Sequence, residues 1–443
     1  MTLLFRYVIL VVMLVIAITG TMSARGLYAD GPFWLYHMLL RGGFYVFDIH
    51  RAYAQFIVEL PVFLAIEGGV RDLNVLIRVH SFGLIGVPIL FWCGALILQW
   101  RTAVFWWLTL AFTVTYLRSG FFAAGEFNTA YGLVALSVAI ILKRNLNNFK
   151  IVLLLTSAII LTHAYESMLF IGVFLAFICV YRLWMRENDS GFTRFILFLS
   201  CCLYLYAVFV GVRSTFFFRA ENLKTTINYG AFFEPHVLYL LWMMGCAFLV
   251  MLKPFTSWIK GVIALLGALV SCLYLVYVWR WDASGISYGY YSYAYRSLGA
   301  FMLLGILFFA WFWYVQPFSF LRNVFQLNER LLACVVSAVF CVQAGLLLVH
   351  TSGYYRWLKA FEAESLVIEG LVPIDETQFN KGHSSLSGYN WPWSNATLSV
   401  LLRGNAEAII TNAKNFDGWE TFDPKTIDKY PLKPFVKSGR LSP

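Results

Sequence analysis

The sequence predicts an all-α polytopic membrane protein with about eleven transmembrane helices, interfacial helices in the first outer loop and a small C-terminal domain of mixed or unknown class. Three observations carry this. The 443 residues are 60% hydrophobic and only 13% charged. Mean hydropathy is +0.71, and uncharged runs of roughly the 20 residues that a spanning helix needs recur along most of the chain. The composition then changes after residue 350, where Asn, Asp, Ser, Lys and Pro become frequent.

The runs fall at 4–22, 76–98, 102–117, 129–142, 151–166, 167–183, 195–212, 236–252, 261–279, 298–315 and 331–350. The first holds one early charge, Arg6, and no small-residue cleavage site follows it, so it is expected to remain as an uncleaved first helix. All eight cysteines lie in or beside apolar runs, which suggests neither a disulfide framework nor a zinc spacing. The chain divides into a membrane region, 1–350, and a soluble region, 351–443.

An odd number of spans puts the termini on opposite sides. Short connections (Gln99 to Arg101, Lys143 to Lys150, Arg182 to Arg194, Lys253 to Lys260, Pro317 to Arg330) fall on one side. Long ones, at 23–75, 118–128, 213–235 and 280–297, fall on the other, with the tail. Positively charged short loops stay cytoplasmic, whereas long loops translocate largely regardless of charge. The amino terminus is therefore expected in the cytoplasm and the tail outside, in a bacterial inner membrane and its periplasm. The net charge of +10 is dispersed over many loops, which points to membrane topology and anionic groups and not to nucleic acid.

Most acidic residues of the membrane region collect on the long-loop side: Asp30, Asp48, Glu59, Glu67, Asp72, Glu126, Glu166, Glu221, Glu234 and Asp282. Charge that is scarce overall is concentrated on one face, and the function is expected there. In the first outer loop, 33–47 and 51–66 mix aromatic and aliphatic residues with single charges, as helices lying in the interface do.

Asp30, in Tyr28-Ala29-Asp30-Gly31-Pro32, stands where the chain leaves the first span. A carboxylate at a lipid–water boundary suits a general base. It equally suits a helix cap ahead of Pro32. Glu126 and the set His163-Ala164-Tyr165-Glu166 occupy outer turns, where ionisable groups close to the membrane invite a functional reading. His163 and Glu166 are candidates for substrate contact or mutual pairing, and one His with one Glu is a weak metal signal. Arg51, Arg118, Arg213, Arg219, Arg280 and Arg296 are candidates for a lipid phosphate, because the guanidinium fork matches phosphate oxygens. Headgroup anchoring is the plainer reading for many of them. The tyrosine-rich stretch 288–296 reads as an aromatic belt or a sugar-stacking surface. There is no P-loop, dinucleotide fingerprint or nucleophile elbow, and Asn395-Ala396-Thr397 matches a glycosylation sequon of the kind that often arises by chance.

Many spans, an acidic residue near the start of the first outer loop, interfacial helices after it and an outer C-terminal region together resemble the GT-C superfamily of integral-membrane glycosyltransferases. The resemblance extends over nearly the whole chain and is architectural. It implies a polyprenyl-phosphate-linked sugar donor and a glycan, lipid or protein acceptor. Asp30 would be the base of an inverting transfer, outer arginines would hold the departing lipid phosphate, and the tail would position the acceptor. Many members carry paired acids where this chain has Ala29-Asp30-Gly31, so Glu126, Glu166 or Asp282 is expected to act as partner. The resemblance names no cofactor and leaves a divalent metal open. Two other classes compete: an O-antigen polymerase or ligase, and a lipid-linked glycan transporter or flippase. Charge at one edge and the absence of an internal repeat weigh against transport.

Overall fold

The computed structural model describes residues 2–117, 125–185, 189–218, 235–250, 255–281, 293–315, 329–378, 389–391, 394–405, 407–411, 432 and 434–441. Each of the eleven expected runs contains a helix over most of its described residues. These are α1 (Thr2–Met22), α4 (Leu73–Ser81) running into α5 (Val87–Leu98), α6 (Val104–Phe112), α7 (Gly125–Ile141), α8 (Asn148–Leu161), α9 (Met168–Met185) and α10 (Gly191–Arg213), followed by α11 (Pro235–Leu249), α12 (Ser257–Trp281), α13 (Tyr293–Val315) and α14 (Glu329–Val367). The first outer loop holds α2 (Gly31–Arg41) and α3 (Ala52–Glu67), close to the two amphiphilic stretches read from the sequence.

Among the described residues, seven helices are long and apolar enough to cross a membrane: 2–22, 49–67, 73–98, 168–185, 191–217, 257–277 and 329–367. The protein thus has the helical character of an integral membrane protein. Six of the seven match expected spans. The seventh, 49–67, was expected only to lie at the interface. It has enough apolar length to cross, although Pro61 interrupts it and Gln55 and Glu59 are fully buried within it. The other expected spans appear as shorter apolar helices.

Helix–helix contacts follow the chain. α9 and α10 form the most extensive antiparallel pair, α5 packs along α7, and α1 lies against α14. The core they share is rich in buried rings, including Trp92, Trp106, Phe112, Tyr116 and Phe340.

Between α4 and α5 the helix widens into a π turn, Phe82–Gly86. Such a turn shifts the backbone hydrogen-bond register, and the Tyr116 hydroxyl donates to the Ile85 carbonyl there at 2.9 Å. The same turn presses against α3. A Cβ on Gly83 would sit 2.0 Å from the Val58 carbonyl oxygen, so only glycine allows this approach.

On the short-loop side, cations close helix ends. Arg182 donates to the carbonyls of Ile141 (2.5 Å) and Lys143 (2.6 Å) and pairs with Asp189 (3.0 Å). Lys143 donates to the Leu98 carbonyl at 2.5 Å. Helix C-termini leave carbonyls without intrahelical donors, and basic side chains satisfy them. Arg6 of α1 pairs with Glu329 and lies over the rings of Phe105 (5.1 Å) and Trp106 (5.4 Å), so the starts of α1, α6 and α14 are tied together.

The change of composition at 351 is not a break in the chain. α14 continues through it for 39 residues, about 58 Å at ~1.5 Å per residue, against a hydrocarbon layer of about 30 Å. Beyond it, β1 (Gly370–Pro373) pairs in parallel with β2 (Ala408–Thr411), Gly370 opposite Ala408. A parallel pair needs a crossover, and α15 (Asn395–Arg403) lies within that connection, packed on α14 and α2. Asn395 is fully buried, which shields the sequon from modification in the folded protein.

Replacing Gly83 with Ala is expected to lower stability by about 1–3 kcal/mol, the usual cost of overpacking a filled contact. Thermal unfolding of the detergent-solubilised protein measures it. An unchanged midpoint would show that α3 does not bear on the π turn this closely.

Candidate functional site

The chain leaves α1 through a tight, irregular turn. Ala24 (φ 53°) and Ala29 (φ 55°) both adopt left-handed backbone, which costs an L-residue with a Cβ roughly 1–2 kcal/mol each. The turn is held in place from α4. The Ser81 hydroxyl accepts the Gly26 N–H at 3.0 Å, and His80 Nε2 meets the Gly31 carbonyl at 3.0 Å. A Cβ on Gly31 would fall 1.6 Å from the Gly26 carbonyl oxygen, so the fold of this turn requires glycine beside Asp30.

Asp30 occupies the cap position of α2 and is partly exposed, yet its side chain makes no capping hydrogen bond. Capping therefore does not account for the carboxylate. Around it the turn is buried and aromatic. Tyr28 packs edge-on to Tyr354 of α14 (5.6 Å) and lies 6.0 Å from Trp391. Arg25, fully buried, donates to the Thr351 hydroxyl at 3.1 Å. Burial lowers its guanidinium to about 10, with Tyr116, Tyr354 and Tyr28 offsetting part of the shift. It therefore keeps its charge at neutral pH.

A second charged centre forms around Arg51, at the end of the 3-10 turn Ile49–Arg51 that leads into α3. Its Nε and one terminal nitrogen both donate to Glu166 Oε1, at 3.0 and 2.8 Å. The other terminal nitrogen lies 3.8 Å from Glu126, and Nε lies 3.9 Å from Asp48. The guanidinium also stacks over the Tyr165 ring at 4.7 Å. Glu126 stands in the first turn of α7, where the helix dipole favours a carboxylate. Asp48 caps the 3-10 turn by accepting from the His50 N–H at 2.9 Å, and it meets the His50 ring at 3.1 Å.

His163 joins this centre through its backbone. Its carbonyl accepts the Tyr53 N–H (3.1 Å), and its ring lies 4.9 Å from that of Tyr53. Burial, then the charge of His50, holds its imidazole below the usual range. On the next turn of α3, Glu59 accepts the Tyr45 N–H (2.9 Å) and a Gln55 amide hydrogen (3.0 Å), which fastens the α2–α3 connection to α3.

The structure thus brings Arg51, Glu126 and Glu166 together, with His163 beside them, from segments far apart in sequence. Two of the three acids expected to assist Asp30, Glu126 and Glu166, meet each other at Arg51, and Asp30 itself stands on the turn held by α4. Arg213 is exposed at the end of α10. Arg118, Arg219 and Asp282 lie outside the described residues, and of Arg280 and Arg296 only the helical backbone is described. Arg25, His80, Asp48 and Glu59 were not singled out as site residues. A buried Arg25 two residues into the loop was readable only as an unusual charge beside a span. Among the described residues, no group of three or more His, Cys, Asp or Glu side chains is arranged to hold a metal ion.

No family model, curated protein or solved structure matches the chain. The site is read from its own chemistry.

Two outcomes follow from these geometries. Arg51→Met leaves the buried Glu126 and the partly buried Glu166 without their cation and is expected to cost about 3 kcal/mol, the lower end of what loss of one partner from a buried pair costs. The double variant with Glu166→Gln should recover part of the loss in thermal unfolding; additive losses would remove the pairing argument. His37 of α2 gives the second outcome. Burial, then Arg41, lowers its imidazole to about 4. The unfolded chain takes up this proton first as the pH falls below about 6.5, so folding stability should decline between pH ~6.5 and ~4. His37→Gln should flatten that slope in pH-dependent melts.

Proposed function

We propose that the protein is a glycosyltransferase of GT-C type, moving a sugar from a polyprenyl-phosphate-linked donor to an acceptor hydroxyl at the outer membrane face. The observation that carries this reading is the strained, glycine-dependent turn that fixes Asp30 just beyond α1. Backbone strain held by surrounding structure is characteristic of functional sites. Asp30 takes the proton of the acceptor hydroxyl as that oxygen attacks the anomeric carbon with inversion. The bond to the lipid phosphate breaks, and the phosphate leaves with the electron pair. Arg25, charged and two helical turns or fewer from α1, contributes positive potential at the same turn.

In this reading Arg51 serves the site indirectly. It is already neutralised by Glu166 and Glu126, so it orders the outer ends of α3, α7 and α9 and is not a ready receptor for lipid phosphate. That role passes to the outer arginines beyond this centre. In this reading the chain crosses eleven times, with the start of α1 in the cytoplasm, 351–443 in the periplasm of a bacterial inner membrane, and α2 and α3 along the outer interface. A crossing by 49–67 would reverse every later segment. One observation favours a transporter as the second reading: Glu59, Glu126 and Arg51 are ionisable groups buried at helix depth, as in ion-coupled carriers.

Asp30→Asn is expected to reduce sugar transfer by about 10²–10⁴-fold, the range of a general base, while binding of the lipid-linked donor stays near wild type. Purified protein in nanodiscs with labelled polyprenyl-phosphate sugars gives both quantities. Wild-type transfer would discard the catalytic role. Normal Asp30→Asn function with loss in Glu126→Gln would favour transport. Reporter fusions at 69 and 370 place both on the same outer side in the eleven-span arrangement, and a fusion at 370 found in the cytoplasm overturns it.

A further inference from the structure

A short stretch far along the chain, 434–441, touches three elements that surround the Asp30 turn. At α4, Val436 makes an isolated parallel bridge to Asp72: its N–H donates to the Arg71 carbonyl (2.9 Å) and its carbonyl accepts the Leu73 N–H (3.0 Å). Asn74 of α4 donates its amide to the Ser438 carbonyl (2.9 Å), and the Ser438 hydroxyl donates to Asp72. At α14, the Lys437 ammonium donates to Glu362 Oε1 at 2.5 Å, and the Leu441 N–H donates to the same oxygen at 3.0 Å. At the end of α15, Lys437 also donates to the Leu402 carbonyl.

Glu362 is a deeply buried carboxylate on the part of α14 that projects beyond the apolar span. Its other oxygen accepts from Lys359 at 3.1 Å. One carboxylate therefore organises two lysines and a backbone amide.

These contacts differ in kind from the rest of the fold. Leu432, Phe435 and Leu441 are buried, but Pro434, Val436, Ser438, Gly439 and Arg440 are exposed. Phe435 and Leu441 set the segment into the core, and between them the attachment is polar: one bridge, a few hydrogen bonds and one buried ion pair. The bridge and the Ser438 bonds lie among exposed residues, and exposed backbone bonds open locally at lower free-energy cost than buried ones. The elements it joins also matter. α4 holds the Asp30 turn through Ser81 and His80, and α15 packs on α2, which Asp30 begins.

We propose that 434–441 is a releasable clasp, pinned by Lys437 on Glu362, that keeps α14 and α15 closed against α4 and so governs access to the Asp30 turn. Closed, it holds the outer end of α14 and α15 over α2. Open, it leaves α15 free to move from α2 while α4 keeps the turn in shape. The importance of that access for catalysis rests on the proposed function; the clasp itself does not.

Hydrogen exchange on the full chain in nanodiscs tests it. Lys437→Met and Ser438→Ala should each speed exchange at 434–441, and Lys437→Met should also raise it tenfold or more at 26–34. In the double variant Asp72→Cys/Val436→Cys, the bridge partners lie within reach of a disulfide. The oxidised form should slow exchange at 26–34 relative to its own reduced form. That comparison stands even if Lys437→Met fails to fold. Unchanged exchange at 26–34, with faster or slower exchange at 434–441, overturns the clasp and leaves only a local attachment. The proposed function has a separate check, because Asp30→Asn retaining full sugar transfer would remove the catalytic role without altering the exchange result.

Discussion

The buried guanidinium of Arg51 is the constraint on which the outer face depends. Three segments that are distant in sequence, the 3-10 turn before α3, the start of α7 and the turn between α8 and α9, converge on it through Asp48, Glu126 and Glu166. Charges in such surroundings are tolerated only when paired. Because the cation is fixed by several partners, α3 can neither slide along α7 nor leave the α8–α9 turn without exposing a carboxylate. The position of α3 in turn fixes the π turn of α4–α5 through Val58 and Gly83, and α4 fixes the turn that carries Asp30. Local strain at Ala24 and Ala29 is sustained by this chain of contacts.

Cations at the two ends of the helices find different partners. On the short-loop side, Arg182 and Lys143 donate to carbonyls left open at helix ends, and Arg6 ties α1 to α14. On the long-loop side, Arg51 meets carboxylates and Arg25 is enclosed by tyrosines and Thr351. Arg182 and Arg6 also pair with Asp189 and Glu329, so the difference is one of degree: helix-end carbonyls weigh more in the first group, carboxylates and tyrosines in the second.

Much of the fold could be read from the sequence, because a helix in a bilayer announces itself by its own length and apolarity. The runs at 4–22 and 195–212 needed no tertiary information, and the stretches at 33–47 and 51–66 became α2 and α3. The limits of such reading are equally physical. Whether 49–67 lies along the interface or crosses depends on neighbours that bury Gln55 and Glu59, which no hydropathy window includes. Composition put a boundary at 351, but helix propensity and packing carried α14 across it. The site was legible as a set of residue types, Asp30, Glu126, Glu166, Arg51 and His163, and not as a set of partners. Arg51 and Glu166 are 115 positions apart, and only tertiary packing could show that the acids expected to help Asp30 are engaged with a guanidinium. Arg25 and His80 carry no sequence signal of a site, because each is a single polar residue in or near an apolar run, with no motif around it.

α14 has a mechanical meaning beyond its packing. It is one unbroken rod, held at its inner end by Glu329 with Arg6 and at its outer end by Glu362 with Lys437. Over a length of about 58 Å, a tilt of ~5° about the inner anchor carries the outer tip through roughly 5 Å. The rod therefore works as a lever arm. A small change in how α1 and α6 sit in the bilayer, such as that imposed by local lipid thickness, grows along the rod, past Thr351 and Tyr354 where it meets the turn that bears Asp30, to Glu362 and the tip.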